Sequence, residues 1–228
     1  MKKFDNSTTD QYDQEIRLKV PGYELMQELI CAILKTELDH QPHLLVAGSG
    51  TGEEIIRLSQ LGPHWKFDAV EPSSDMIEAA KKRIMISKTA NEIRFFESTM
   101  ESCNQAIIYD GALSLLVSHF IPDDGRKEKY FAAIAGRLTP NALLLTVDLM
   151  EAESLHQKNH QCLYNWAKER GLPFNQLEQL TPRMNSLFFP VTESRFEEIF
   201  QKVGLKIEGR FFQGLNFVGY LARKVTNF

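Results

Sequence analysis

Three glycines follow a short apolar segment within residues 43–54, at the spacing Gly48-x-Gly50-x-Gly52. Glycine accepts positive φ angles and lets a ligand approach the backbone without meeting a Cβ atom. A turn of this kind at the carboxyl end of a first parallel strand is typical of the floor of a nucleoside-binding site. The spacing therefore predicts that this turn binds a nucleoside.

Two acidic residues, Glu53 and Glu54, open the helix that is expected after these glycines. A dinucleotide fold places pyrophosphate at the amino terminus of this helix, where two carboxylates would repel it. The phosphate-binding fingerprint GxGxxG also requires a small residue at the position of Glu53. We therefore expect a cationic nucleoside without phosphate, and S-adenosylmethionine is the obvious candidate. An NAD-linked reductase is the weakest alternative.

Glu71 ends the next apolar segment, 19 positions beyond Gly52. A carboxylate at this place can accept hydrogen bonds from both ribose hydroxyls of a nucleoside. The alternative is an acid that only caps the helix after Pro72. Met76 lies one turn further on, where it either packs on the adenine ring or belongs to the core.

Together these segments resemble the class I S-adenosylmethionine-dependent methyltransferases. The resemblance covers roughly residues 43–224 and is carried by four motifs: residues 48–52, 66–73, 138–145 and 196–223. It implies a Rossmann-like methyltransferase fold with S-adenosylmethionine as cofactor. It also implies that the methionine part of the donor contacts Gly48, Ser49, Gly50 and Gly52. The ribose is then expected to contact Glu71 and Pro72, and the methyl group is expected to lie near Ser118. The adenine is expected to contact Met76, Ser98, Thr99 and Met100.

His119 follows the expected fourth strand, where the resemblance places the methyl group. An imidazole can act as a general base for an acceptor hydroxyl or amine. A structural or merely exposed histidine is the alternative. The transfer need not have a base, because the sulfonium is already activated and alignment can supply most of the rate.

Val46 and Thr99 are departures from the family pattern, in which acids often stand at both positions. In the family, the acid at the position of Val46 would bind the methionine amino group. The acid at the position of Thr99 would accept a hydrogen bond from the adenine amino group. Because of these departures, a non-catalytic S-adenosylmethionine-binding protein is an alternative to an enzyme.

The N-terminal segment offers three further donor contacts, Tyr12, Arg17 and Tyr23. The arginine can pair with the methionine carboxylate, and the tyrosines can close over the sulfur. The alternative is a solvated arm that leads into a packing helix.

Two short matches, residues 20–23 and 211–217, are similar to bacterial carboxy-S-adenosylmethionine synthases. Such an enzyme would use the same donor site but consume a second small acid. It would need cationic side chains near the sulfur, for which Arg17 and either Arg183 or Arg195 are candidates.

Apolar segments alternate with helical patterns along most of the chain, which predicts a parallel sheet covered on both faces. We expect one α/β domain over residues 1–228, with a doubly wound, seven-stranded, mostly parallel sheet and an antiparallel C-terminal hairpin. The expected strands are 44–47, 67–71, 93–96, 111–117, 142–148, 206–212 and 215–222, and the expected helices include 53–61, 74–87, 101–105, 126–137 and one beginning near Phe196.

Two segments lie outside this alternation. Residues 1–42 form an N-terminal arm with a helix whose apolar residues recur between Leu25 and Leu34. Residues 151–190 are helix-prone and form either a surface excursion or a cap over the substrate pocket, since an insertion after a strand's carboxyl end overhangs the ligand crevice.

The composition limits the partners, the location and the metal sites that we expect for this chain. A net charge of −4 argues against a nucleic-acid surface and favours a small-molecule acceptor, while a homodimer stays open. Three separated cysteines without a CxxC pair favour a reducing compartment, the cytoplasm, and no apolar run approaches the length of a membrane span. His156 and His160 are four apart without the acid of an HExxH motif, so we expect no metal.

Overall fold

The computed structural model describes residues 6–38, 41–62, 64–151 and 156–226, and for a few of these, Tyr12 and Arg183 among them, only the backbone. In these residues eight helices accompany seven strands. The helices are α1 Asn6–Lys19, α2 Tyr23–Glu37, α3 Glu53–Ser59, α4 Ser74–Ser87, α5 Arg126–Ala135, α6 His156–Glu169, α7 Phe174–Leu187 and α8 Glu193–Lys202. The strands are β1 His43–Ala47, β2 Lys66–Glu71, β3 Glu92–Glu97, β4 Tyr109–Leu115, β5 Leu138–Leu149, β6 Leu205–Gly214 and β7 Phe217–Lys224.

The seven strands form one sheet in the order β3-β2-β1-β4-β5-β7-β6. The first five strands are parallel, and β7 runs antiparallel between β5 and β6. The predicted fold class is thereby confirmed. The strand order reverses between β1 and β4, which is where open α/β sheets bind their ligands.

Both faces of the sheet are covered, as the apolar strands predicted. Alternate residues of β1 point to opposite faces, so Leu44 and Val46 join a core with α2 and α3, and Leu45 and Ala47 join one with α5 and α8. The central strand is therefore held from both sides, and the loop that follows it starts from a rigid base.

Two elements differ from the sequence prediction. The prediction of a helix at 101–105 is wrong, because only a turn forms there. The guanidinium of Arg137 donates hydrogen bonds to the carbonyl oxygens of Cys103 and Gln105. Helix α1 was not predicted, because its residues carry no clear apolar stripe. A short 3-10 turn, Ser118–Phe120, also follows β4.

Candidate active site

The glycine turn lies where the strand order reverses, between the carboxyl ends of β1 and β4. The backbone amide of Gly48 donates to the carbonyl of Val70 in β2 at 2.8 Å. Gly48 has a φ of +77°, and a Cβ atom there would lie 2.5 Å from Cγ2 of Val117. Only glycine lets β1 and the segment after β4 approach so closely.

Gly50 differs from Gly48, because its φ of +49° is combined with open space: a Cβ would meet nothing within 4 Å. The hydroxyl oxygen of the neighbouring Ser49 is buried and has no hydrogen-bond partner among the described residues. A buried polar atom without a partner is costly in the protein alone. The turn therefore fits a ligand that passes over Gly50 and bonds Ser49.

These two glycines should respond differently to alanine. We expect Gly48→Ala to destabilise the fold by about 2–4 kcal/mol, because the methyl group collides with Val117 and the φ angle is strained. Gly50→Ala should cost only about 1 kcal/mol, from φ alone, but its methyl group should weaken donor binding. Urea unfolding and calorimetry measure the two effects, and equal destabilisation by both variants would contradict this assignment.

The carboxylate of Glu71 lies against the glycine turn. One oxygen accepts from the backbone amide of Gly50 and the other from that of Ser73, both at 3.0 Å. Burial raises the pKa of Glu71, although these backbone hydrogen bonds act in the opposite direction. Each carboxylate oxygen has a second lone pair, so the group can hold the turn and still accept from two ribose hydroxyls.

The remaining residues expected near the adenine lie around the ends of β2 and β3. The amide of Ser98 donates to the carbonyl of Glu71 at 3.3 Å, which brings the third loop to the ribose acid. Met76 and Met100 are buried, whereas Pro72 and Thr99 are exposed. Buried methionines and an exposed Thr99 can line an adenine pocket, but this role stays a prediction.

The two acids after the glycine turn are not free charges. Glu53 is bound by three guanidinium groups: Arg17 at 2.9 Å, Arg57 at 2.7 Å and Arg83. Burial raises the pKa of Glu54 to about 7, although its hydrogen bond from Gln27 lowers it. The predicted repulsion of phosphate by these acids is therefore wrong, because their charges are largely compensated.

Helix α1 docks on the glycine turn through the same ionic cluster. Asp13 accepts from the hydroxyl of Thr51 at 2.5 Å and pairs with Arg83 at 2.7 Å. Glu15, on the same helix, accepts from Gln176 of α7. The N-terminal arm thus joins the glycine turn to the 151–190 segment, and its described side chains are not merely solvated.

The three donor contacts expected on the arm are differently placed. Arg17 pairs with Glu53 and Glu24, and its guanidinium lies 5.5 Å from the ring centre of the buried Tyr23. The side chain of Tyr12 lies outside the described residues. Arg17 and Tyr23 are near the turn, but Arg17 would have to exchange an acid to reach a methionine carboxylate.

His119 is buried and forms a pair with Asp148, the acid near the end of β5. The Nδ1 atom of His119 is hydrogen-bonded to Asp148, which also accepts from the backbone amides of Ser118 at 2.8 Å and His119 at 3.0 Å. Burial would raise the pKa of Asp148, but His119 and these hydrogen bonds outweigh it and lower the pKa. An ionised carboxylate only accepts, so Nδ1 carries the proton of this hydrogen bond, and Nε2 is the ring nitrogen left to exchange a proton with an acceptor.

A cavity of about 390 Å³ lies next to this pair, under the 151–190 segment. The ring of His119 packs against Phe188, with centroids 4.7 Å apart, and the His119 carbonyl accepts from the amide of Phe189. The cavity is lined by Leu149, Met150, Glu151, His160, Met184, Phe188, Phe189, Pro190 and Asn216. Helices α6 and α7 each contribute to this wall, through His160 and Met184.

The structure thus brings together the glycine turn, Glu71 and Ser98, and separately Ser118, His119 and the cavity. It does not favour Arg195 as a cation near the sulfur, because Arg195 is bound to Asp123, Glu128 and Glu198. The side chain of Arg183 lies outside the described ones. Sequence reasoning missed Asp148, although an acid at the carboxyl end of a strand was a usable signal.

Comparison with known proteins agrees with this geometry. Residues 45–144 match the family described as a methyltransferase domain. Over 97% of its length, the chain is 23% identical to the carboxy-S-adenosyl-L-methionine synthase of Campylobacter hominis, of which it covers 94%. The predicted resemblance to S-adenosylmethionine-dependent enzymes is thereby confirmed.

Solved structures show the same fold. The 1,6-didemethyltoxoflavin-N1-methyltransferase of Burkholderia thailandensis, crystallised with S-adenosylhomocysteine, superposes with a TM-score of 0.60 at 16% identity, covering 86% of this chain and 76% of that one. The mitomycin 7-O-methyltransferase MmcR gives a TM-score of 0.63 at 16% identity over 86% of this chain. The present chain spans about half, 53%, of the MmcR chain.

Within the described residues, every helix is too short or too polar to cross a bilayer. The same residues contain no group of three or more His, Cys, Asp or Glu side chains that could hold a metal ion.

Proposed function

We propose that this chain uses its methyltransferase domain to transfer a methyl group from S-adenosylmethionine to a small-molecule acceptor. When bound, S-adenosylmethionine supplies an activated methyl group that can leave by in-line displacement. Glu71 carries this proposal, because its carboxylate lies on the backbone of Gly50 and keeps acceptor capacity for the ribose. Ser49 and the open side of Gly50 would hold the methionine part.

On the acceptor side, we propose that the cavity under the 151–190 cap receives the acceptor and that His119 removes its proton. Asp148 fixes the tautomer in which Nε2 can take up a proton, and it holds the turn through two backbone amides. Phe188 and Phe189 would exclude water from this side. Apolar walls with a few polar groups are typical of small-molecule pockets.

A second candidate is a carboxy-S-adenosylmethionine synthase-like activity. It is favoured by the similarity to such a synthase over nearly the whole chain. The same donor site would serve, but a second small acid would need a cationic partner. Arg17 is the described candidate nearest the glycine turn, and it is already paired with Glu53 and Glu24.

Mass spectrometry of the nucleoside product separates the two candidates. The purified protein is incubated with S-adenosylmethionine and a metabolite extract, and both nucleosides and metabolites are analysed. Methyl transfer replaces a proton of the acceptor by a methyl group, so it yields S-adenosylhomocysteine and one metabolite that is heavier by a CH₂ unit. A carboxylated donor without S-adenosylhomocysteine would instead assign the synthase-like activity, and binding without turnover would assign a binding protein.

We further propose the cytoplasm as the location. All three cysteines, Cys31, Cys103 and Cys162, are free thiols, which fits a reducing compartment.

A further inference from the structure

One side chain of the cavity under the 151–190 segment is a largely buried amide. Asn216 lies in the turn between β6 and β7, lines this cavity and is only 7% exposed. Its side-chain oxygen accepts a hydrogen bond from the amide nitrogen of Asn159 on α6. This contact fixes how the Asn216 amide is turned.

The nitrogen of the same amide is left as a donor. Because the oxygen of Asn216 is taken by Asn159, its Nδ2 atom is the group left for another partner, and no described residue accepts a hydrogen bond from it. A largely buried donor without a partner costs free energy in the protein alone. We therefore expect a bound molecule to supply the missing acceptor.

The backbone of Asn216 is anchored close to the pair of His119 and Asp148. Its carbonyl accepts from the amide of Met150 at 2.8 Å, and Asp148 lies two residues before Met150. Two residues of an extended strand span about 7 Å. An aromatic ring with a substituent on either side bridges a distance of this order, so one small molecule can reach both His119 and Asn216.

The walls of the cavity suit an aromatic ring. Phe188 and Phe189 contribute rings, and Met150 and Met184 contribute thioethers. Aromatic rings pack favourably against both kinds of side chain. The volume of about 390 Å³ lies at the lower end of the range for small-molecule pockets.

The charge of the cavity disfavours an anion. Its described lining residues include one acid, the exposed Glu151, but no lysine or arginine. A carboxylate bound against this wall would be repelled by Glu151 and would find no permanent cation there. The acceptor for the Asn216 amide is therefore expected to be a neutral oxygen, as in a ketone or an amide.

We propose that Asn216 is a specificity-determining residue, which donates a hydrogen bond to a carbonyl oxygen of a neutral aromatic acceptor in this cavity. The substrate class is an aromatic hydroxyl or amine compound that also carries a ketone or amide. Asn216 holds the carbonyl while the hydroxyl or amine lies toward His119. This inference rests on the proposed methyl transfer and names the acceptor of the same site.

The test is an NMR titration of the full chain, with ¹³C-labelled methionine methyl groups, by two phenols. 4-Hydroxyacetophenone carries a carbonyl oxygen, and 4-ethylphenol has nearly the same shape without it. Both should shift the methyl signals of Met150 and Met184, which the Met150→Leu and Met184→Leu variants assign, and leave that of the exposed Met85 in place. The ratio of the two Kd values isolates the carbonyl, because the ring and the hydroxyl are shared.

Asn216→Asp replaces the amide donor by an acceptor of nearly the same size. This variant should weaken the binding of 4-hydroxyacetophenone relative to 4-ethylphenol by about 3- to 10-fold. The matched control is Asn104→Asp, which makes the same change at an exposed position and should keep the original ratio. Asn216→Ala removes the donor without adding a charge, so it should change the ratio in the same direction, and it replaces Asn216→Asp if that variant fails to fold.

Three results would overturn the inference. They are an unchanged Kd ratio in a folded Asn216→Asp or Asn216→Ala protein, no shift of the Met150 and Met184 signals by either phenol, and tighter binding of the anion 4-hydroxybenzoate than of 4-hydroxyacetophenone. The titration contains no S-adenosylmethionine, so it does not depend on turnover. Absence of S-adenosylhomocysteine from the metabolite screen would contradict the proposed function, whereas an unchanged ratio would contradict only the role of Asn216.

Discussion

Replacing Glu71 by alanine should weaken the affinity for S-adenosylmethionine by about 1.5–3 kcal/mol, which is roughly 10- to 150-fold in Kd. The carboxylate is buried on the glycine turn and bound to the amide of Gly50. In the proposed complex it accepts from both ribose hydroxyls, and alanine removes both of these hydrogen bonds. Isothermal titration calorimetry measures this loss. The matched control is Glu97→Ala, because Glu97 stands opposite Glu71 in the register of β2 and β3 but is exposed.

The same carboxylate should make donor binding pH-dependent. Burial raises the pKa of Glu71 above its ordinary value, so its protonation begins at a pH at which an exposed glutamate is still ionised. As the pH falls through this raised pKa, the carboxyl loses acceptor capacity and donor affinity falls. Glu71→Gln should bind more weakly at neutral pH and show no such decline. Unchanged affinity in a folded Glu71→Ala protein would remove the ribose assignment.

Replacing His119 by glutamine should lower the rate of methyl transfer by about 10²- to 10⁴-fold, the usual contribution of a general base. Donor affinity should stay within about twofold, since this ring packs against the cap-side Phe188 and Asp148 rather than against the glycine turn. The measurement is release of S-adenosylhomocysteine with the acceptor found by the metabolite screen, beside calorimetry with the donor.

The exposed His64 offers a matched control for this experiment. His64→Gln makes the same chemical change 55 positions earlier in the chain. This variant should transfer the methyl group at the rate of the unmodified protein. If His119→Gln transfers as fast as His64→Gln, the histidine is structural, and alignment of donor and acceptor alone accounts for the reaction.

Much of the geometry of the proposed donor site was predictable, because it depends on local spacing at strand ends. Gly48, Gly50 and Glu71 each follow or end an apolar strand, and parallel strands bring their carboxyl ends to one edge of the sheet. The contact of Gly50 with Glu71 follows from neighbouring positions of β1 and β2. The parallel sheet could be predicted for the same reason, since strands and helices alternate regularly.

The charge balance of the site was not predictable from spacing. Arg17 and Arg83 reach Glu53 only because α1 and α4 meet at the glycine turn, and nothing local in the sequence indicates this. Likewise Asp148 pairs with His119 across 29 positions of the chain. Contacts of this kind depend on how the elements pack, which a periodic pattern does not specify.

The central claim is that the glycine turn beside Glu71 binds S-adenosylmethionine. A native mass spectrum of the purified protein, with and without added S-adenosylmethionine and NAD, tests it most directly. We predict that added S-adenosylmethionine raises the mass by one S-adenosylmethionine per chain and that S-adenosylhomocysteine displaces this ligand. Added NAD should cause no mass increase. Binding of NAD in its place, or no adenosyl ligand bound at saturating donor, would contradict the claim.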